Sequence, residues 1–248
     1  MIGNSKLRNF GLIGRKLEHS FSESYFLEKF KSEGISDVQY SLFELEKVSD
    51  VLSLTALQKL EGFNVTIPYK EEILPLLDEL SPEAREIQAV NTVRVVNGKL
   101  IGYNTDTVGF KKSLAAVFKP HHERALILGT GGASKAIAFT LEQLGVEFKM
   151  ISRTPAEDEL GYHELNKYVL KHFPLIINTT PLGTFPEVDK CPDIPYEHLT
   201  SKNFLYDVVY NPEQSLFLRK GKLKGAATLN GYRMLVLQAE KSWEIWNS

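Results

Sequence analysis

The sequence predicts an α/β protein, and three observations carry that prediction. Stretches with strand and helix character alternate along the chain, with no internal repeat and no low-complexity tract. The apolar run Leu126-Ile127-Leu128 feeds a glycine-rich turn, Gly129-Thr130-Gly131-Gly132-Ala133-Ser134, that opens a helix of small residues. A chain of 248 residues, 43% hydrophobic and 24% charged, can bury one large core or two modest ones.

Composition also excludes several classes of function. The formal net charge is −2 with mixed signs, which offers no footprint for nucleic acid and no polybasic face for a membrane. No apolar stretch reaches bilayer length, and residues 1–8 lack a secretory hydrophobic region, so the cytoplasm is the expected location. The lone Cys191 has no thiol partner for a disulfide or a metal site. The six histidines show no metal-ligand spacing, and His121-His122-Glu123 reads as solvated surface beside a linker.

Taken in order, residues 9–14 read as a strand, a helix follows Ser22, and residues 38–43 form the next strand. The first hundred residues thus make an α/β layer of their own. Ser20 and Glu23 have capping-box spacing, while Ser20 and Ser22 are equally suited to binding a carboxylate. In Gly62-Phe63-Asn64-Val65-Thr66-Ile67-Pro68-Tyr69-Lys70 a short strand ends at a proline suited to a first helical turn. Lys70 then lies at the helix end that disfavours a cation by about 0.3–1 kcal/mol, which suggests selection for something else. The alternative is a surface lysine, with Glu71 and Glu72 correcting the dipole. Residues 89–106 read as a hairpin turning at Asn97-Gly98, with Asn91 and Asp106 at its opposite ends. Asp106 suits either an N-cap for the following helix or an active site.

The glycine turn is suited to an anion. Glycines bring backbone N–H groups close to a ligand, and a helix N-terminus offers donors and partial positive charge. Residues 136–144 continue the helix, Gly145 stops it, and residues 146–151 form the next parallel strand, a βαβ unit of the expected size. An NAD-binding unit carries an acidic residue about 20 positions beyond the glycines. This chain has Ser152-Arg153-Thr154 there, and a guanidinium between two hydroxyls suits the 2′-phosphate of NADP. Glu157 and Asp158 just beyond work against that reading, and a solvated loop arginine is the alternative.

Eight motifs in register give the chain a resemblance to the biosynthetic shikimate dehydrogenases over almost its whole length. They are Ser20-Phe21-Ser22, Asn64-Val65-Thr66-Ile67-Pro68-Tyr69-Lys70, Ala89-Val90-Asn91-Thr92 and Asn104-Thr105-Asp106-Thr107-Val108-Gly109. The remaining four are Gly129-Thr130-Gly131-Gly132-Ala133, Asn178-Thr179-Thr180-Pro181-Leu182-Gly183, Asp207-Val208-Val209-Tyr210-Asn211-Pro212 and Met234-Leu235-Val236-Leu237-Gln238-Ala239.

The resemblance implies two α/β domains with an active-site cleft between them. Residues 1–103, completed by a C-terminal helix over 231–248, would form the substrate domain, and residues 104–230 a Rossmann-type NADP-binding domain. It implies reversible reduction of 3-dehydroshikimate to shikimate by NADPH, on the way to chorismate and the aromatic amino acids. Lys70 and Asp106 would be the catalytic pair, and Ser20, Ser22, Thr66, Asn91, Tyr210 and Gln238 would line the substrate pocket with them. Residues Gly129, Thr130, Gly131, Gly132 and Ala133 would hold the cofactor phosphates. Ser152, Arg153 and Thr154 would take its adenosine end, and Val208 and Gly231 its nicotinamide end. The expected partners are a small-molecule substrate and NADP, without metal, nucleic acid or membrane, in a monomer or homodimer.

Thr130 replaces the family's commoner alanine between the glycines, and Thr184, Val208 and Tyr232-Arg233 depart from the family pattern on the nicotinamide side of the cleft. The absence of a second basic residue soon after Arg153 leaves mixed NADP and NAD use open. The rival readings are a quinate/shikimate dehydrogenase using NAD and a noncatalytic metabolite sensor. Ser152-Arg153-Thr154 argues against the first, and the presence of both Lys70 and Asp106 against the second.

Overall fold

The computed structural model describes residues 7–18 and 20–248. Residues 1–6, within the stretch read as lacking a secretory segment, and His19, beside the serine pair, lie outside the described residues. The chain divides into two compact units, Met1–Thr105 with Ala239–Ser248, and Asp106–Gln238.

The first unit contains β1 (Arg8–Gly14), α1 (Phe21–Glu33), β2 (Val38–Glu44), α2 (Val51–Gln58), β3 (Leu60–Val65), α3 (Tyr69–Glu72), β4 (Glu79–Leu80), α4 (Pro82–Ile87), β5 (Thr92–Val96) and β6 (Lys99–Tyr103). Its mixed sheet runs in the order β2-β1-β3-β5-β6-β4. β1 is parallel to both β2 and β3, while β5 is antiparallel to β3 and to β6. The hairpin turns where expected: Asn97 and Gly98 have φ of 52° and 80°, the paired positive values of a type I′ turn. α1 begins two residues earlier than the sequence suggested. The Ser20 hydroxyl accepts from the Ser22 amide at 3.3 Å, instead of the Glu23 amide that a capping box needs, so Ser22 lies inside the first turn.

The second unit contains α5 (Asp106–Ala115), β7 (Arg124–Leu128), α6 (Gly132–Gln143), β8 (Glu147–Ser152), β9 (Leu160–Gly161), α7 (Lys167–His172), β10 (Leu175–Asn178), β11 (Phe204–Asp207), α8 (Leu216–Leu223) and β12 (Ala227–Leu229). α9 (Tyr232–Trp246) contributes its first half here and its second half to the first unit. Every pairing in this sheet is parallel, in the order β12-β11-β10-β7-β8-β9. Counted from β7 this is the doubly wound dinucleotide-binding order, which reverses between β10 and β7. The central strands β10 and β11 are buried at every position, as a sheet covered on both faces requires.

Each unit has its own cores. In the first, Phe10, Phe26, Tyr40 and Trp246 pack together, with Phe26 stacked on Tyr40 at 4.4 Å and Phe10 on Trp246 at 4.8 Å between ring centroids. The indole of Trp246 sits on Gly62, where an added Cβ would come within 2.3 Å of the ring, and its Nε1 donates to the Val93 carbonyl at 2.9 Å. In the second, Gly145 ends the helix with φ of 69°, as its sequence position suggested.

His122 corrects the surface reading of its segment. It is buried, with its ring stacked on Phe204 at 5.3 Å and edge-on to Phe118, while Nδ1 accepts the Lys119 amide at 3.1 Å. Burial lowers its pKa to about 4, so the neutral ring behaves as a core aromatic.

Candidate functional site

The first unit gathers its polar motifs at one edge of its sheet. β1 and β3 are parallel, so the segments after them, carrying Ser20, Ser22 and Thr66, emerge at the same edge. β5 runs the other way and begins there, which brings Asn91 alongside: its carbonyl accepts the Val65 amide at 2.9 Å. β6 returns to that edge, and the chain passes through Asn104 and Thr105 into Asp106. The Thr66 amide bonds the Ile13 carbonyl at 2.9 Å, fixing it between the two strand ends. Lys70 is half-buried on α3, and its carbonyl accepts the Val90 amide at 2.7 Å. α3 is a single turn of four residues preceded by Pro68 as its cap. A macrodipole needs aligned peptides, so the dipole argument for Lys70 has little force here.

Beneath this edge lies a buried network of neutral groups. Tyr40 donates to Asn64 Oδ1 at 2.9 Å, and Asn64 Nδ2 donates to the Asn91 carbonyl at 3.2 Å, Thr92 Oγ1 at 3.1 Å and Ser242 Oγ at 2.9 Å. Asn91 Oδ1 accepts the Thr105 amide at 2.7 Å, and Asn91 Nδ2 donates to Thr105 Oγ1 at 3.0 Å. Thr92 and Ser242 close the circuit with hydroxyls 2.8 Å apart. Burial pushes the Tyr40 phenol well above its ordinary pKa, with the hydrogen-bonded Ser22 hydroxyl working the other way. Ser22 and Asn91 are therefore attached to one rigid polar core.

In the second unit the expected anion-binding turn follows β7 at the point where strand order reverses, the place where open α/β sheets bind ligands. Gly129 has φ of 117°, and a Cβ there would come within 2.7 Å of Thr179 Oγ1, so this glycine is required by the fold. Gly131 differs: its φ is −81° and an added Cβ would meet nothing within 4 Å. α6 starts from it without a side-chain cap. Thr130, Gly132 and Ala133 complete the turn and open the helix. Ser134, which stands where the usual fingerprint has a third small residue, is buried and hydrogen-bonded to Thr179 at 2.6 Å. The hydroxyl thus ties α6 to the β10 loop where a glycine would allow close approach alone.

Ser152 ends β8 and Arg153 and Thr154 follow it, with the Thr154 amide bonded to Ser152 Oγ at 3.2 Å and the Arg153 and Thr154 side chains exposed. Arg153 lies close enough to the partly buried Tyr162 to oppose the burial that raises its pKa. Tyr162, 9 positions along the chain from Arg153, carried no sequence signal.

Val208 and Gly231 are brought together. A Cβ on Gly231 would lie 2.1 Å from the Val208 carbonyl oxygen, and the Gly231 amide donates to the Val209 carbonyl at 3.1 Å. Tyr210 continues the same loop, half-buried. Asp106 is the first residue of α5 and is buried. One turn later Gly109 lets α9 approach: a Cβ there would meet the Met234 carbonyl at 2.6 Å and the Cβ of Gln238 at 3.1 Å. That contact sets Gln238 against Gly109, three residues after Asp106 on α5.

Among the described residues no group of three or more His, Cys, Asp or Glu side chains could hold a metal ion, and no helix is long and apolar enough to cross a membrane. The family described as the shikimate dehydrogenase substrate binding domain matches residues 12–93. The shikimate dehydrogenase (NADP(+)) of Methanococcus aeolicus is 36% identical over 259 residues, spanning 98% of this chain and 93% of that protein. Shikimate dehydrogenase 1 of Peptoclostridium difficile superposes with a TM-score of 0.86 at 37% identity, covering 97% of this chain and 92% of that one. The Thermus thermophilus shikimate 5-dehydrogenase, solved with NADP(H) and shikimate, gives 0.85 at 32% identity over 96% and 93%. Likeness of that degree, in sequence and in backbone alike and over nearly the full length of each chain, makes this protein a member of the shikimate dehydrogenase family.

Proposed function

We propose that this protein is an NADP-dependent dehydrogenase that interconverts 3-dehydroshikimate and shikimate, a step toward chorismate and the aromatic amino acids. The observation that carries the reading is Gly131. Neither backbone strain nor internal packing calls for glycine there, and its amide stands at the uncapped start of a 12-residue helix. A phosphate drawn against that helix end accounts for it. Residues 129–133 would hold the pyrophosphate, Ser152, Arg153 and Thr154 the 2′-phosphate end, and Val208 and Gly231 the nicotinamide end.

NADPH, when bound, supplies the hydride to the ketone carbon. The chain must then stabilise negative charge on oxygen and deliver a proton. In this reading Lys70 offers the cation and the proton, and Asp106 provides the carboxylate that orients donor and oxygen. Ser20 and Ser22 bind the substrate carboxylate, while Thr66, Asn91, Tyr210 and Gln238 fix the ring hydroxyls. Asn91 Oδ1 accepts the Thr105 amide, which fixes the orientation of the side-chain amide.

The test is oxidation of shikimate and of quinate by the purified protein, with NADP and NAD in parallel, followed by absorbance of the reduced nicotinamide. The expected result is turnover with shikimate and NADP. Comparable rates with quinate or NAD would move the assignment to the broader enzyme. Absence of turnover in every pairing, from folded protein, would favour a metabolite sensor.

A further inference from the structure

Asp207 is fully buried at the carboxyl end of β11, and every donor that reaches it is neutral. Its Oδ1 accepts from Asn178 Nδ2 at 2.9 Å and from the Val209 amide at 3.0 Å, and its Oδ2 takes the Ser215 hydroxyl. A buried carboxylate without a cation is costly, and an amide or an apolar side chain would fill the same space more cheaply. What the carboxylate adds is the capacity to take three donors from three separate elements.

Those donors lead outward to the loops at the carboxyl edge of the sheet. Asn178 ends β10, and its Oδ1 accepts the Thr180 amide at 3.0 Å and the Thr180 hydroxyl at 2.6 Å. The Val208 amide bonds the Asn178 carbonyl at 2.9 Å, and the Val209 carbonyl takes the Gly231 amide at 3.1 Å. Ser215 caps α8, with its Oγ accepting the Leu218 amide at 3.4 Å. Asp207 thus bonds directly to residues at the end of β10 and in the segment after β11, and the segment after β12 is joined to them through the Val209 backbone. All three lie on one side of the strand-order reversal. The glycine turn after β7 and the Ser152-Arg153-Thr154 segment at the end of β8 lie on the other. In a doubly wound fold these two sides serve the two mononucleotide halves of the cofactor.

We infer that Asp207 is a positioning residue for hydride transfer, holding the loops after β10 and β11 and the Gly231 backbone against the nicotinamide half of the cofactor while leaving the adenosine half untouched. The inference rests on the dehydrogenase reading, and its test separates the two. Asp207→Asn keeps the volume and one acceptor oxygen but removes the charge. Ser215→Ala withdraws one donor from the carboxylate, together with the α8 cap, while leaving residues 178–180 and 208–210 unchanged in sequence.

In the full-length protein, with wild-type turnover of shikimate and NADP as the control, Asp207→Asn should lower kcat about 10-fold or more, since a small misplacement of a bound reactant is costly in rate. Binding of adenosine 2′,5′-bisphosphate should be unchanged, and the primary deuterium isotope effect on the transferred hydrogen should rise as hydride transfer becomes slower. Ser215→Ala should lower kcat about 3-fold in the same direction. A purely structural role would lower the melting temperature of both variants while leaving kcat and the isotope effect at wild-type values, and that result would overturn the inference. Parallel loss of adenosine 2′,5′-bisphosphate binding would overturn it as well, because the damage would then reach both halves. Should Asp207→Asn fail to fold, Ser215→Ala decides. Inactive wild-type protein would instead remove the dehydrogenase reading itself.

Discussion

The two units brace their candidate sites with opposite chemistry. In the first, Tyr40, Asn64, Asn91, Thr92, Thr105 and Ser242 share protons among amides and hydroxyls that carry no charge. In the second, the loops converge on the ionisable carboxyl of Asp207. A neutral network holds its geometry at any pH the protein survives, whereas a carboxyl hub has a titration of its own. The difference shows that a polar core can fix a site without coupling it to protons, and that the second unit does not use that option.

The largest way to separate the units is through Lys70. Lys70→Ala should cost about 10³-fold or more in turnover while NADP binding and the fold persist, because one residue would supply both charge stabilisation and the proton. Turnover near the parent's would remove it from the chemistry. Next is the neutral hub itself. Asn64→Leu leaves the Tyr40 hydroxyl, the Asn91 carbonyl and the Ser242 hydroxyl short of a partner, and should destabilise the first unit by about 3 kcal/mol in calorimetry. A loss below about 1 kcal/mol would mean the network repacks.

Within the second unit two buried groups titrate with opposite sign. Burial raises the Asp207 carboxyl from 3.8 to about 6, so its favourable contribution is complete below pH 4 and disappears as pH rises through 6. His122 runs the other way: lowered from 6.5 to about 4, it contributes fully above 6.5 and loses that contribution as pH falls toward 4. Relative to wild type, Asp207→Asn should therefore gain on the order of 2–3 kcal/mol between pH 4 and pH 7. A pH-independent difference between the two would show that the carboxyl does not titrate in this range.

Two smaller effects sharpen the picture within the second unit. Gly129→Ala should destabilise it by about 1–2 kcal/mol through a strained φ, whereas Gly131→Ala should leave stability alone and raise KM for NADP. Equal losses of stability would make both glycines structural. Arg153→Ala should reduce the preference for NADP over NAD about 10-fold, read as the ratio of kcat/KM values. An equal loss with both cofactors would reject the 2′-phosphate role.

Much of this was legible from local pattern. The Asn97-Gly98 hairpin, the strand before Gly129 and the helix stop at Gly145 each depend on residues within a few positions of one another, and each was found. What could not be read depends on contacts between distant segments. His122 looks like surface in sequence because the Phe204 ring that covers it lies 82 positions along the chain. The neutral network was invisible for the same reason, with Thr92 and Ser242 separated by 150 positions. Lys70 shows the opposite failure: the dipole argument assumed a longer helix, and Pro75 in the following 3-10 turn marks how soon regular helix gives way. Asp207 and Asn178 stood in recognisable motifs, but spacing alone gave no sign that one carboxylate serves both loops.

The packing of Trp246 on Gly62 has a practical consequence. Both tryptophans of the chain, Trp243 and Trp246, belong to the half of α9 in the first unit. Tryptophan fluorescence therefore reports on that unit directly, while the cofactor-binding sheet is spectroscopically silent at the same wavelengths. An unfolding curve followed by indole emission would describe half of the molecule, and a gap between it and a curve from far-ultraviolet circular dichroism would measure how independently the two halves melt.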